Sequence, residues 1–210
     1  MNGTSLILPK NARQLFIQGP AGLLDVLELS PKEVVRGVAL IIHPDPKGGG
    51  TYTNKIVQTI AKVMNTKGYI SYCPNLRGVG QSDGEHDFGN GEVDDGLAIY
   101  DYLRKLYPEL PFILAGFSFG SAVISNVAAK REHQQLLLVG PAVTRYNVVV
   151  PDSSKTFIVH GKDDEVIPLD EVYLWAEKYD IPVSVFINTG HFFHGKLVQL
   201  QNYLSRILVV

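Results

Sequence analysis

The segment Gly116-Phe117-Ser118-Phe119-Gly120 sets a serine between two glycines, directly after the apolar run Phe112-Ile113-Leu114-Ala115 and directly before a helical pattern. A strand that turns sharply into a helix at that serine lifts its hydroxyl above a sheet, and glycines two positions to either side leave room for so tight a turn. The N-terminus of the helix aims unsatisfied N–H groups at negative charge developing there. The chemistry open to such a residue is nucleophilic attack on an acyl carbon. A neutral hydroxyl then needs a base to take its proton, and the base needs a third group to hold its tautomer.

His191 follows Gly190 immediately after an apolar strand and is the expected base; His194, three positions on, reads as a capping or supporting residue at the start of the last helix. A metal pair made by these two histidines has no third ligand nearby in the sequence. For the orienting acid, Asp163, Asp164 and Glu165 stand side by side after a strand ending at His160, and chemistry alone does not choose among them. A tetrahedral intermediate needs two fixed donors. One is expected from the N–H of Phe119. The other is expected from the loop His43-Pro44-Asp45-Pro46, where among residues 44 to 46 Asp45 alone carries an N–H. Tyr52, Tyr146, Phe192 and Phe193, with Phe119, are candidates for lining a substrate cleft. His160 reads as structural, holding the acid-bearing turn, and His86 and His133 as surface positions. Cys73 reads as a small buried residue, and Arg77 as a turn residue paired with a carboxylate.

The elements that must position these groups alternate between short apolar runs and longer amphipathic ones, the pattern of a parallel sheet with crossover helices. Strands are expected at Val38–His43, Tyr69–Pro74, Phe112–Phe117, Gln135–Val139, Thr156–His160 and Val183–Ile187. Gln14–Gln18 and Leu23–Leu29, separated by Gly19-Pro20-Ala21-Gly22, read as an opening antiparallel hairpin. Helices are expected at Asn54–Lys67, Asp94–Tyr107, Ser118–Lys130 and Asp170–Tyr179, with a last one carrying the stripe Leu197, Leu200, Leu204, Ile207, Leu208. About sixteen residues join the strands ending at Val139 and starting at Thr156, too few for a helical cap over the site.

Composition narrows the function classes. The chain has 210 residues, of which 45% are apolar and 19% charged, enough for one globular core. A formal charge of −2 offers no field for nucleic acid or an anionic membrane. The single cysteine rules out an internal disulfide and multi-cysteine metal motifs. No apolar run approaches the roughly 20 residues of a membrane helix, and the first ten residues lack a signal-like pattern, so a cytoplasmic location is expected. The expected partner is a small-molecule acyl substrate, with no cofactor, metal, nucleic acid or membrane. Oligomeric state is not legible at this level.

Four ordered motifs carry a resemblance: His43-Pro44-Asp45-Pro46, Pro74-Asn75-Leu76-Arg77-Gly78-Val79-Gly80-Gln81-Ser82, Gly116-Phe117-Ser118-Phe119-Gly120 and His191-Phe192-Phe193-His194-Gly195. From about Phe16 to the final helix the chain resembles the α/β-hydrolase superfamily, specifically its small lidless bacterial serine hydrolases. That resemblance implies a single domain over 1–210 with an eight-stranded, mostly parallel sheet, helices on both faces and no cap domain. It implies cleavage of a carboxylic ester or related acyl bond by a Ser-His-Asp triad through an acyl-enzyme, its members in the order serine, acid, histidine. The turn from Gly161 to Pro168 resembles the superfamily pattern G-x-x-D-x-V-x-P, which selects Asp164 and turns Glu165 toward water. The superfamily usually has glycine after the oxyanion-loop histidine; Pro44 departs from it. Thioester hydrolysis or acyl transfer by the same triad, and a non-catalytic binding protein on the same fold, are the other readings.

Overall fold

A computed structural model describes residues 11–208. Eight strands form one sheet in the order β1-β2-β4-β3-β5-β6-β7-β8. β1 (Ala12–Gly19) and β2 (Gly22–Leu29) are a hairpin closed by a two-residue turn, and β2 runs antiparallel to β4 (Tyr69–Pro74). β3 (Gly37–Ile42), β4, β5 (Phe112–Phe117), β6 (Gln135–Val139), β7 (Thr156–Gly161) and β8 (Val183–Phe186) are mutually parallel. Their carboxyl ends therefore share one edge, and the loops leaving them converge.

The central strands are buried on both faces, which is why they read as unbroken apolar runs. Their alternation still sorts two cores. Val38, Leu40 and Ile42 of β3 face one, with Ile99 and Leu103 of α2 (Asn90–Leu106), Val123 and Val127 of α3 (Phe119–Ala128) and Val172 and Trp175 of α4 (Leu169–Glu177). Ala39 and Ile41 face the other, with Ile56, Ile60 and Val63 of α1 (Lys55–Thr66) and Leu200 and Leu204 of α5 (Leu197–Ile207). α1 begins where Asn54 Oδ1 accepts the N–H of Ile56 at 2.9 Å and stops at Gly68, whose φ of +84° suits only glycine well.

α2 starts four residues before the expected Asp94. The helix begins at Asn90 because Glu92 reaches back, its two oxygens accepting the N–H groups of Asp87 and Gly89, each at 2.8 Å, while Asp87 Oδ2 accepts from Gly91 at 3.0 Å. Glu92 itself is fully buried. Between β6 and β7 the chain makes a short 3₁₀ turn at Ser153–Lys155 and no longer helix, so the sheet edge carries no lid there.

Candidate active site

β5 runs without a spacer into α3, and Ser118 at the junction sits at φ +54°, ψ −117°. That left-handed backbone is costly for serine and persists because its surroundings over-determine it. The Ser118 N–H donates to Val139 O at 2.9 Å, and Ser121 Oγ donates to Gly116 O at 3.0 Å. A Cβ on Gly116 would lie 2.2 Å from Gly120 O, and one on Gly120 would lie 2.4 Å from Ile42 O. The glycines are thus required by close approach of three backbones.

The other groups come from the loops after β7 and β8. Ser118 Oγ donates to His191 Nε2 at 3.0 Å, and His191 Nδ1–H donates to Asp164 Oδ2 at 2.7 Å. All three residues are buried. The imidazole of His191 packs against the rings of both Phe117 and Phe192, with centroids 5.0 and 5.1 Å away. Of the three adjacent carboxylates, Asp164 alone reaches His191 Nδ1. Its Oδ1 accepts the N–H groups of Val166 and Ile167 at 2.9 and 2.7 Å, and its Oδ2 lies 3.3 Å from His160 Nε2. Burial works to raise this carboxyl, but the hydrogen bonds from His191 and Ile167 outweigh it and hold Asp164 below the usual carboxylate value.

His160 is buried and donates Nε2–H to Ile167 O at 2.9 Å, pinning the acid-bearing turn; burial pushes its own pKa down. Two glycines let the turn and the histidine loop touch. A Cβ on Gly161 would be 2.3 Å from Thr189 O, and one on Gly190 would be 2.6 Å from Glu165 Oε2. Glu165 corrects an expectation here: its Oε2 accepts the His191 N–H at 3.2 Å, so it binds the loop rather than only water. Nothing in the sequence around Glu165 signalled that contact.

The Phe119 N–H opens α3 beside Ser118. The Asp45 loop is held by His43, whose Nδ1–H donates to Pro44 O at 2.7 Å while its Nε2 accepts from Leu76 N–H at 3.1 Å. Those two bonds fix one neutral tautomer, and full burial lowers the His43 pKa to about 4. The Asp45 carboxylate folds onto its own loop, accepting from Lys47 N–H at 2.8 Å and from the Tyr146 hydroxyl at 3.2 Å.

The cleft candidates divide. Tyr146 is half-buried and packs edge-on against Phe119 at 4.8 Å; burial and the Asp45 charge raise its pKa. Phe192 is 44% exposed at the rim. Phe193 is corrected: it adopts φ +51°, turns inward and packs its fully buried ring 5.5 Å from Phe186. Tyr52 is corrected too. It is buried toward the buried Asp25, so that desolvation and this carboxylate push its pKa up to about 12.

Among the remaining histidines, His86 is no surface residue: Nδ1 lies 2.6 Å from Glu92 Oε1, and its ring stands edge-on to Phe119 at 5.6 Å. His133 is half-buried, its Nδ1 3.1 Å from Arg131 O. His194 is exposed and stacks near Phe192, two residues too early to cap α5, whose N-cap is Lys196. Cys73 is buried, which raises its thiol pKa, and Arg77 grips Asp95 through two side-chain bonds of 2.9 and 2.7 Å. Among the described residues no three His, Cys, Asp or Glu side chains are grouped to hold a metal ion. No helix among them is long and apolar enough to cross a membrane.

A family model described as serine aminopeptidase, S33, matches residues 35–155. The chain belongs to this hydrolase family. A structure described as an α/β serine hydrolase homologue from Coxiella burnetii superposes on this S33-family hydrolase with a TM-score of 0.89, at 35% identity over 98% of this chain and 100% of that one. XC6422 from Xanthomonas campestris, described as an α/β serine hydrolase without lid, is 33% identical with a TM-score of 0.87, over 96% and 95% of the two chains. The Rickettsia prowazekii (strain Madrid E) protein RP471, itself uncharacterized, is 28% identical to this hydrolase over 93% of this chain and 88% of its own.

Proposed function

We propose that this hydrolase cleaves carboxylic esters through an acyl-enzyme on Ser118. The observation carrying this reading is the unbroken line from Ser118 Oγ to His191 Nε2 at 3.0 Å and from His191 Nδ1 to Asp164 Oδ2 at 2.7 Å. Ser118 Oγ attacks the carbonyl carbon as His191 Nε2 takes its proton, a general-base contribution of about 10²–10⁴-fold. The oxyanion is received by the N–H groups of Phe119 and Asp45, each worth roughly 3 kcal/mol. His191 then protonates the departing alcohol, and the acyl group remains on Ser118. Water, deprotonated by His191, attacks that ester, and collapse returns the serine and a carboxylic acid. Asp164 stays ionised throughout, holding the imidazole and balancing the imidazolium.

A fluorophosphonate probe followed by peptide mapping tests the nucleophile, and a panel of esters against acyl-CoA thioesters tests the bond. Labelling at Ser118, with ester turnover that vanishes in Ser118→Ala, is expected. Labelling elsewhere, or turnover surviving in that variant, overturns the reading; turnover confined to thioesters replaces the ester assignment.

A further inference from the structure

A cleft of about 380 Å³ runs between the start of α2, the side of α3 from Ala122 through Asn126 to Lys130 just past its end, and the loop carrying Tyr146. Its wall adjoins the reacting corner. Tyr146 lines it and packs at 4.8 Å on Phe119, the residue after the nucleophile, and a Cβ on Gly89, also lining it, would sit 3.7 Å from both rings. We propose that this cleft is the alcohol-side subsite of the ester hydrolase and takes an uncharged, hydroxylated group, a saccharide or polyol bearing a short acyl ester. The assignment rests on the ester reading above.

Two features of the lining select that chemistry. Phe88 and Tyr146 supply aromatic faces, while Asn90, Asn126 and Asn147 supply amide donors and acceptors. An alkyl chain would leave those amides desolvated without partners, whereas a ring with hydroxyls on its rim and C–H groups on its faces satisfies both. Asn126 is preset for this: its Nδ2 already donates to Ala122 O at 2.9 Å and Asn147 O at 2.7 Å, which orients the amide and commits its Oδ1 to accepting. One acid, Asp94, and one cation, Lys130, also line the cleft, so no net charge selects an ionic ligand.

Phe88 is the independent observation. It is 60% exposed yet holds φ +53°, a conformation a bulky side chain avoids. The strain is sustained on both sides, since Glu92 accepts the N–H groups of the flanking Asp87 and Gly89, and Lys47 Nζ sits 3.9 Å over the ring. The ring also lies 5.0 Å from that of His86, yet more than half of the residue stays exposed. A stacking platform held at the mouth of a subsite accounts for it.

The test compares two acetates, an O-acetylated methyl glucoside and vinyl acetate, which share the acyl group and differ in the alcohol. Phe88→Ala, and separately Val93→Trp to fill the cleft, are expected to lower kcat/KM for the glucoside ester at least tenfold, through KM, with vinyl acetate within twofold. Calorimetry with Ser118→Ala is expected to show binding of the glucoside ester that Phe88→Ala removes. Equal losses on both acetates, or glucoside hydrolysis indifferent to both substitutions, overturn the subsite while leaving the ester reading intact. Hydrolysis of vinyl acetate but not of the glucoside ester by the native chain overturns the subsite alone; absence of turnover on both overturns the ester reading, and this assignment with it.

Discussion

Each oxygen of Asp164 already has two donors near it: Val166 and Ile167 N–H at Oδ1, and His191 Nδ1–H with His160 Nε2 at Oδ2. An amide in that position must turn an N–H against donors in either flip. Asp164→Asn is therefore expected to lower kcat by roughly 10³–10⁴-fold and also to lower the melting temperature, measured on one ester and by calorimetry. Ser118→Ala should separate these effects. It removes the proposed nucleophile and should cost about three orders of magnitude or more of turnover, yet it keeps every backbone bond of the turn, so its melting temperature should stay within a few degrees of native. A large loss of stability in Ser118→Ala would mean that the hydroxyl holds the turn together.

At the scale of elements, the site is an agreement between loops from four strands, and glycines set how closely they approach. Gly161→Ala brings a methyl group to 2.3 Å from Thr189 O, backbone that cannot rotate away. The acid turn and the histidine loop must part, and roughly 1–3 kcal/mol of stability should go with kcat. Urea unfolding and ester kinetics on the same preparation check this; an active variant of native stability would show the two loops to be loosely coupled. His43 plays the matching part on the other side, tying the β3 loop to Leu76 after β4 through one fixed tautomer.

For the whole molecule, the buried imidazoles make stability depend on pH. His43 is neutral when folded, with a pKa near 4, against about 6.5 in the unfolded chain. Between those values the unfolded state binds a proton that the folded state refuses. Stability from this group is thus complete above pH 6.5 and declines as pH falls to about 4, by roughly 3 kcal/mol. His160, also depressed by burial, adds a loss of the same sign. Asp164, held below the usual carboxylate value, contributes stability present above that value and lost as pH falls through its folded one. Urea midpoints from pH 7 to 4 should fall steadily, and His43→Gln should flatten the upper part of that slope. A flat native profile would mean that His43 accepts a proton inside the fold.

Much of this architecture was legible from residue order, because the signals are local. Parallel strands buried on both faces must be apolar throughout, and a residue directly after such a strand stands at the shared edge. Ser118, the 163–165 carboxylates and His191 could therefore be placed together before any coordinates. The brevity of the β6–β7 connection likewise spoke for an open edge. What tertiary structure decided is which way neighbouring side chains face. Phe192 stays at the rim while Phe193, one residue on, turns into the core through a left-handed backbone step. Tyr52 leaves the cleft for Asp25, His86 turns to Glu92, and Glu165 bends back to the His191 amide. Sequence position carries no record of those directions: each depends on a partner 6 to 27 residues away, brought near only when the sheet edge assembles.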